Sequence, residues 1–178
     1  MAVRDALLGL LTLGPAYGLQ LHAELGTRAP HRAKTNVGQV YGTLDRLSTA
    51  GLVVHQGLTE DGLPLYALTD AGKAEAQSWL RGETMTTLPE WADVQDVVLI
   101  SSSVSSAHSV ALIGVLDALL NEEMAESVST PAQHLNMQAA LRYREAVSHW
   151  LGDVQAAVIQ PQTGYALGRP KRGRPAKS

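Results

Sequence analysis

The sequence predicts a mainly α-helical protein with one small β-hairpin, and two patterns carry that prediction. Apolar residues recur every three to four positions over most of the chain, as in helices buried on one face. Only between Leu52 and Leu68 does the period shorten to that of strands, around a turn rich in Gly57, Glu60, Asp61 and Gly62. Plentiful Leu, Val and Ala, and a complete lack of Phe, agree with helices.

Residues 5–13 read as a short helix stopped by Gly14-Pro15, because proline cannot supply the next backbone donor. A second helix is expected over 17–25, with Leu19, Leu21, His22 and Leu25 near one face and Gly26 as its stop. Residues 27–35 form a polar, basic connection. The third helix starts at Thr35 or Asn36, both good N-cap types, and ends at Ala50 before Gly51. Strands over 52–56 and 63–68 make the hairpin, and Thr69 or Asp70 caps a fourth helix that reaches Leu80. Three compact helices followed by a hairpin are the layout of a winged helix-turn-helix.

Residues 82–90, ending in Leu88-Pro89, read as a linker. The apolar run 94–100 fits either a turn of helix or a buried segment, and its pattern does not choose. Two longer helices are expected, over 107–127 with Leu112, Leu116 and Met124 at helical spacing, and over 135–159 with Val147, Leu151 and Val158. Pro131 falls in the connection between them. From Pro161 the periodicity ends, and the Gly/Pro/basic composition of 168–178 reads as disordered. The chain therefore divides into residues 1–82, 83–160 and 161–178.

Charge is distributed unevenly along these three parts. Residues 1–82 carry seven basic and seven acidic side chains, 83–168 two basic and ten acidic, and 169–178 five basic and none acidic. The net charge of −3 thus conceals a neutral head, an acidic middle and a basic end. No apolar run approaches the ~18 residues of a membrane span, and the opening Met-Ala-Val-Arg-Asp lacks a signal-peptide layout. A cytoplasmic location follows by default.

Nothing in the residues outlines an enzyme. There is no cysteine, hence no thiol nucleophile, disulfide or Cys-based zinc site. The six histidines form no His-x3-His pair and no His-Glu-x-x-His, and Gly-rich phosphate loops are missing. No metal and no cofactor are expected.

The third helix carries two faces. Val37, Val40, Leu44 and Leu47 form an apolar stripe that must pack inward. Asn36, Gln39, Thr43 and Arg46 repeat with the same spacing on another face and could reach base edges or phosphates. Gly38 and Gly42 lie one turn apart and would admit either DNA or a neighbouring helix. Tyr41 is expected with its ring packed and its hydroxyl towards DNA. Lys34, just before the helix, adds a cation.

These residues resemble the PadR family of transcriptional regulators. Tyr17-Gly18-Leu19-Gln20-Leu21 is similar to the family's second helix. The run from Gly38 through Tyr41, Leu44 and Leu47 to Gly51-Leu52 is similar to its recognition helix. Leu65-Tyr66-Ala67-Leu68-Thr69-Asp70-Ala71-Gly72 is similar to its last wing strand and the helix after it. The two later helices resemble the C-terminal helical dimerisation domain of the longer subgroup in pattern only. The resemblance implies a homodimeric repressor on a palindromic operator in double-stranded DNA, relieved by a small aromatic effector. The wing departs from the family: Glu60 and Asp61 stand where relatives carry bases, and phosphates would repel them.

The tail holds Lys171-Arg172-Gly173-Arg174-Pro175, which resembles an AT-hook core. An extended Arg-Gly-Arg fits a narrow A/T-rich minor groove, where the potential is most negative. Lys171, Arg172 and Arg174 therefore join the DNA-binding candidates. Trp79, Trp91 and Trp150 are candidates for stacking on an aromatic effector, and equally for core at a domain junction. The alternative to a DNA reader is a winged-helix module that binds protein and reads no sequence.

Overall fold

The structure, a computed structural model, describes residues 2–60, 62–122, 129–157 and 159–165. Helices α1 (Ala2–Leu11), α2 (Gly18–Arg28) and α3 (Val37–Thr49) come first, with a 3-10 turn at Pro30–Arg32. Strands β1 (Val53–Leu58) and β2 (Pro64–Leu68) form an antiparallel hairpin, followed by α4 (Asp70–Leu80), α5 (Trp91–Val104), α6 (Ser106–Asn121) and α7 (Pro131–Ala156). The chain is mostly helical with a small two-stranded sheet, a winged helix-turn-helix followed by further helices, as the sequence predicts.

Local chemistry sets most of the boundaries. The Asn36 side chain accepts from Gly38 N–H at 2.7 Å and opens α3. Gly51, at φ +73°, turns the chain out of α3 into the hairpin. The Thr69 hydroxyl accepts from Gly72 N–H and donates to Gly51 carbonyl, clamping the start of α4 to the end of α3. Gly72 is obligatory here, because a Cβ would fall on the Leu52 carbonyl oxygen. Strand β2 is paired on both sides: β1 holds Val53↔Leu68 through His55↔Tyr66, and Ala16 bridges Tyr66 from the α1–α2 turn.

Two cores result. The first gathers Leu7 and Leu10 of α1, Leu21 and Leu25 of α2, Leu44 and Leu47 of α3, with Val53, Tyr66 and Leu80. The second gathers Val94, Val97 and Val98 of α5, Leu112 and Leu116 of α6, and Val147 and Leu151 of α7. Helix α5 serves both, since Ile100 is buried in the first core. A helix buried on two sides has no polar face, which is why residues 94–100 showed no clear period.

Three expectations are corrected. Gly26 does not end α2, which runs on to Arg28. Gly26 instead lets the connection close in, with Ala33 Cα at 3.4 Å from where a Cβ would stand. Pro131 is not in the connection but opens α7, where its missing N–H costs nothing, behind a capping box of Thr130 and Gln133. Helix α6 stops at Asn121, and the Arg144 guanidinium donates to the carbonyls of Leu119, Leu120 and Glu122. Met124 and Ser127, expected in that helix, lie outside the described residues, as does Val158.

Residues 159–165 also depart from the expectation of a loose tail beginning at Pro161. Gln162 N–H donates to Ser103 carbonyl at 2.9 Å, and Tyr165 packs against the first core.

Candidate nucleic-acid interface

Helix α3 presents its predicted polar set unequally. Asn36, Gln39 and Arg46 are exposed, as is Lys34 ahead of the helix. Thr43 is buried: its hydroxyl donates to Gln39 carbonyl at 2.8 Å and accepts from the Arg46 guanidinium at 3.0 Å. It holds Arg46 rather than facing solvent. Tyr41 is half-buried, its ring packed on the first core and lying over Gly18, where any Cβ would collide with it. The packed ring expected from sequence is what the fold contains.

The glycines of α3 face open space. A Cβ on Gly42 would meet nothing within 4 Å, and one on Gly38 only the capping oxygen of Asn36. Of the two uses weighed for them, close packing on another helix is therefore excluded among the described residues. Between this face and the first turn of α1 lies a hollow of about 400 Å³, lined by Val3, Arg4, Gln39, Thr43, Arg46 and Leu47. Sequence reasoning missed the part of α1, since nothing in Val3-Arg4 shows which helix it will lie beside.

Most of the head's cations are already paired. Arg4 bridges Asp5 and Glu75, Lys73 meets Asp70, and Arg81 meets Glu83. Arg28 is buried against Glu24 at 2.8 Å. Arg32 binds Asp96 of α5 through two nitrogens, and His31 reaches the same carboxylate at 2.8 Å. Among the described residues, Lys34 and Arg46 are the head's basic side chains with no carboxylate partner. The sequence could not reveal this, because Asp96 is 64 residues from Arg32.

At the wing, Gly57 and Gly62 both take positive φ, and Thr59 closes the loop by accepting from Leu63 N–H. Glu60 is exposed and Asp61 lies outside the described residues, so the described wing offers His55 and Gln56 but no lysine or arginine. His55 packs against Tyr66 with ring centroids 4.7 Å apart and planes tilted by 45°. Lys171, Arg172 and Arg174 lie outside the described residues.

The tryptophans separate into two places. Trp91 and Trp150 meet edge-on at 5.3 Å, joined by Tyr143, whose ring is 6.4 Å from Trp91. Tyr143 was missed, although it stands seven residues before Trp150 and so shares its helix face. Trp79 makes no ring contact with this group among the described residues. It packs between the two cores and lines a separate hollow of about 160 Å³ with Asp5, Met85 and Asp93. No cluster of His, Asp and Glu able to hold a metal occurs among the described residues, and none of their helices is long and apolar enough to cross a membrane.

Comparison with known proteins finds a family model and solved structures that the chain resembles. Residues 7–78 match the "Transcriptional regulator PadR-like family". The fold is similar to Bacillus subtilis PadR, solved in complex with operator DNA: 23% identity, 87% of this chain and 96% of that chain covered, and a TM-score of 0.42. No curated protein matches the chain.

Proposed function

The chain carries a domain of the PadR-like family of transcriptional regulators, a family of regulators and not of enzymes, over residues 7–78, and from that premise we propose that it is a homodimeric repressor whose α3 helices read a palindromic operator. One observation carries this reading. The exposed face of α3 combines Asn36, Gln39 and Arg46 with two glycines that support no packing, so a DNA groove can come close to the backbone. Gln39 can pair bidentately with adenine and Arg46 with guanine, while Asn36, whose Oδ1 caps α3, has its Nδ2 left to donate to a base or phosphate. Lys34 and the Tyr41 hydroxyl serve phosphates, Thr43 supports Arg46, and Lys171, Arg172 and Arg174 add the minor-groove contact that an acidic wing cannot make.

Dimerisation is assigned to the helical part, residues 83–160. The outer face of α6 exposes Ala107, Val110, Ala111, Gly114 and Ala118, a stripe of small apolar residues with a second helix as its natural cover. Val110 is 72% exposed. The first turns of α7 are likewise exposed and carry Leu135, 69% exposed. An aromatic effector would stack on Trp91, Tyr143 and Trp150, where the rings already meet, with Trp79 relaying the change to the head. Such a regulator works in the cytoplasm wherever the DNA is accessible.

The test is selection from a random double-stranded library at about physiological salt, where non-specific binding fades and specific binding survives. An enriched inverted repeat supports the reading; a single unrepeated site denies the dimer; no enrichment refutes sequence reading. The second reading, a protein-binding winged helix, is favoured by the paired cations of the head and by Glu60 and Asp61. Generic DNA at low salt discriminates. Binding that drops with Arg46→Ala supports the DNA reader, and no binding by either protein supports the adaptor.

A further inference from the structure

Resting on that DNA reading, we propose that the hollow between α1 and α3 seats a backbone phosphate of the operator, gripped by Arg4, which makes Arg4 a DNA-binding residue beside the reading helix. Two guanidinium groups from separate helices line this one hollow of about 400 Å³, Arg4 from the first turn of α1 and Arg46 from α3. Both are held in place. Val3 is buried in the first core, which fixes the first turn of α1 against the head. Arg46 donates to the Thr43 hydroxyl at 3.0 Å, and Thr43 is itself buried. Gln39, on the exposed face of α3, lines the same hollow. Bases read by that face therefore bring their backbone past its mouth.

Arg4 is paired but not saturated. Asp5 and Glu75 of α4 both meet its Nη1 atom, each at 2.6 Å. Among the described residues Nε and Nη2 have no partner, and these two nitrogens form the edge of a guanidinium that donates in parallel to two oxygens. Arg32 uses that same edge on Asp96, at 3.0 and 2.7 Å. The two carboxylates thus turn the Arg4 guanidinium without using up its fork. Nor do they hold it tightly: the Arg4 and Glu75 side chains are 36% and 42% exposed, and a pair open to water and salt contributes little. The lining decides the class of ligand. Among the described residues it includes two cations and no carboxylate, over a floor of Val3 and Leu47, so it suits an anion. With α3 in a major groove, the elements packed beside it lie over the sugar–phosphate backbone, so the anion at hand is a phosphate of the DNA itself.

The experiment scans the selected site with single methylphosphonate linkages, each of which removes one phosphate charge. Binding of the full chain is measured over a salt series beside the variants Arg4→Gln, Arg4→Lys, Glu75→Gln and Arg46→Ala. Arg4→Gln is expected to weaken binding roughly fivefold and to lower the salt slope by about one, because one fewer counterion is released. At one linkage in each half-site, the methylphosphonate should weaken the full chain by a similar factor and leave Arg4→Gln unaffected. Arg4→Lys keeps the charge and loses the fork, so the slope stays while the effect of that linkage falls by roughly half; it is read in place of Arg4→Gln should the latter fail to fold. Glu75→Gln removes a negative charge beside Arg4, and affinity should rise by up to about threefold. Unchanged affinity and slope in Arg4→Gln overturn the phosphate site. So does a fall in affinity for Arg4→Gln and Glu75→Gln alike, with a methylphosphonate profile that matches the full chain's, because Arg4 is then only a staple between α1 and α4. Absence of any site preference in the full chain, with no effect of Arg46→Ala, refutes instead the DNA reading on which the site rests.

Discussion

Thr43 and His108 show how single side chains set what this protein can do. Thr43 sits between the backbone of Gln39 and the guanidinium of Arg46, so it fixes the direction of the arginine proposed to read DNA. Thr43→Val keeps the volume and removes the hydroxyl. A hydrogen bond of this kind contributes about 1 kcal/mol, so specific binding should weaken roughly fivefold with generic binding unchanged. Thr43→Ser should restore it, and competition titration against generic DNA reads both. His108 is depressed below its ordinary 6.5 by burial first and by Arg81 second, and its Nδ1 atom has no hydrogen-bond partner among the described residues. The folded state therefore binds the proton less readily than the unfolded chain. Stability is complete above pH 6.5 and declines as pH falls through the folded value. The melting temperature of His108→Gln should decline less than that of the parent between about pH 6.5 and 5.

At the scale of elements, what was legible was what is local. The glycine exit at Gly51 and the hairpin turn are local and were read from the sequence, and the caps of α3 and α4 were narrowed to Thr35 or Asn36 and to Thr69 or Asp70, of which the fold uses Asn36 and Thr69. Gly26 misled because a glycine after a leucine run resembles a stop, whereas its role is to admit Ala33. The α5 helix was illegible because burial on two sides erases periodicity. Gly72 yields a sharp prediction at this level. Gly72→Ala drives a methyl into the Leu52 carbonyl, and the clamp between α3 and α4 must open. Overpacking against backbone costs about 3 kcal/mol, to be read as a lower urea midpoint with unchanged slope.

Across the whole molecule, the decisive contacts are the ones no local pattern announces. Arg28 and Arg32 are two of the seven basic residues counted in 1–82, yet one is buried against Glu24 and the carbonyls of Ser103 and Gly164 and the other holds Asp96 of α5. Of the head's basic side chains, Lys34 and Arg46 are left without a carboxylate partner among the described residues. Asp96 is fully buried. Arg32→Met leaves that carboxylate with His31 alone, and breaking such a pair costs about 3 kcal/mol. A urea series on the variant and the parent checks it, as a lower midpoint with unchanged slope. For the dimer proposed above, Gly114→Arg on the exposed stripe of α6 should give a monomer in sedimentation, while the melting of each chain is retained.

The sharing of α5 between two cores has a mechanical consequence. With Ile100 buried beneath the reading head and Val97 beneath the helical arm, residues 82–90 cannot act as a hinge. Head and arm of one protomer turn together, as a single rigid lever. In a dimer of such levers a ligand among Trp91, Tyr143 and Trp150 has one mode of action open to it, a change of the angle between two stiff bodies. A small tilt at the arms then becomes a spacing error at the two α3 helices. Successive major grooves on one side of DNA recur every ~34 Å, and a pair of heads off by a fraction of that interval can engage one half-site or the other, but not both.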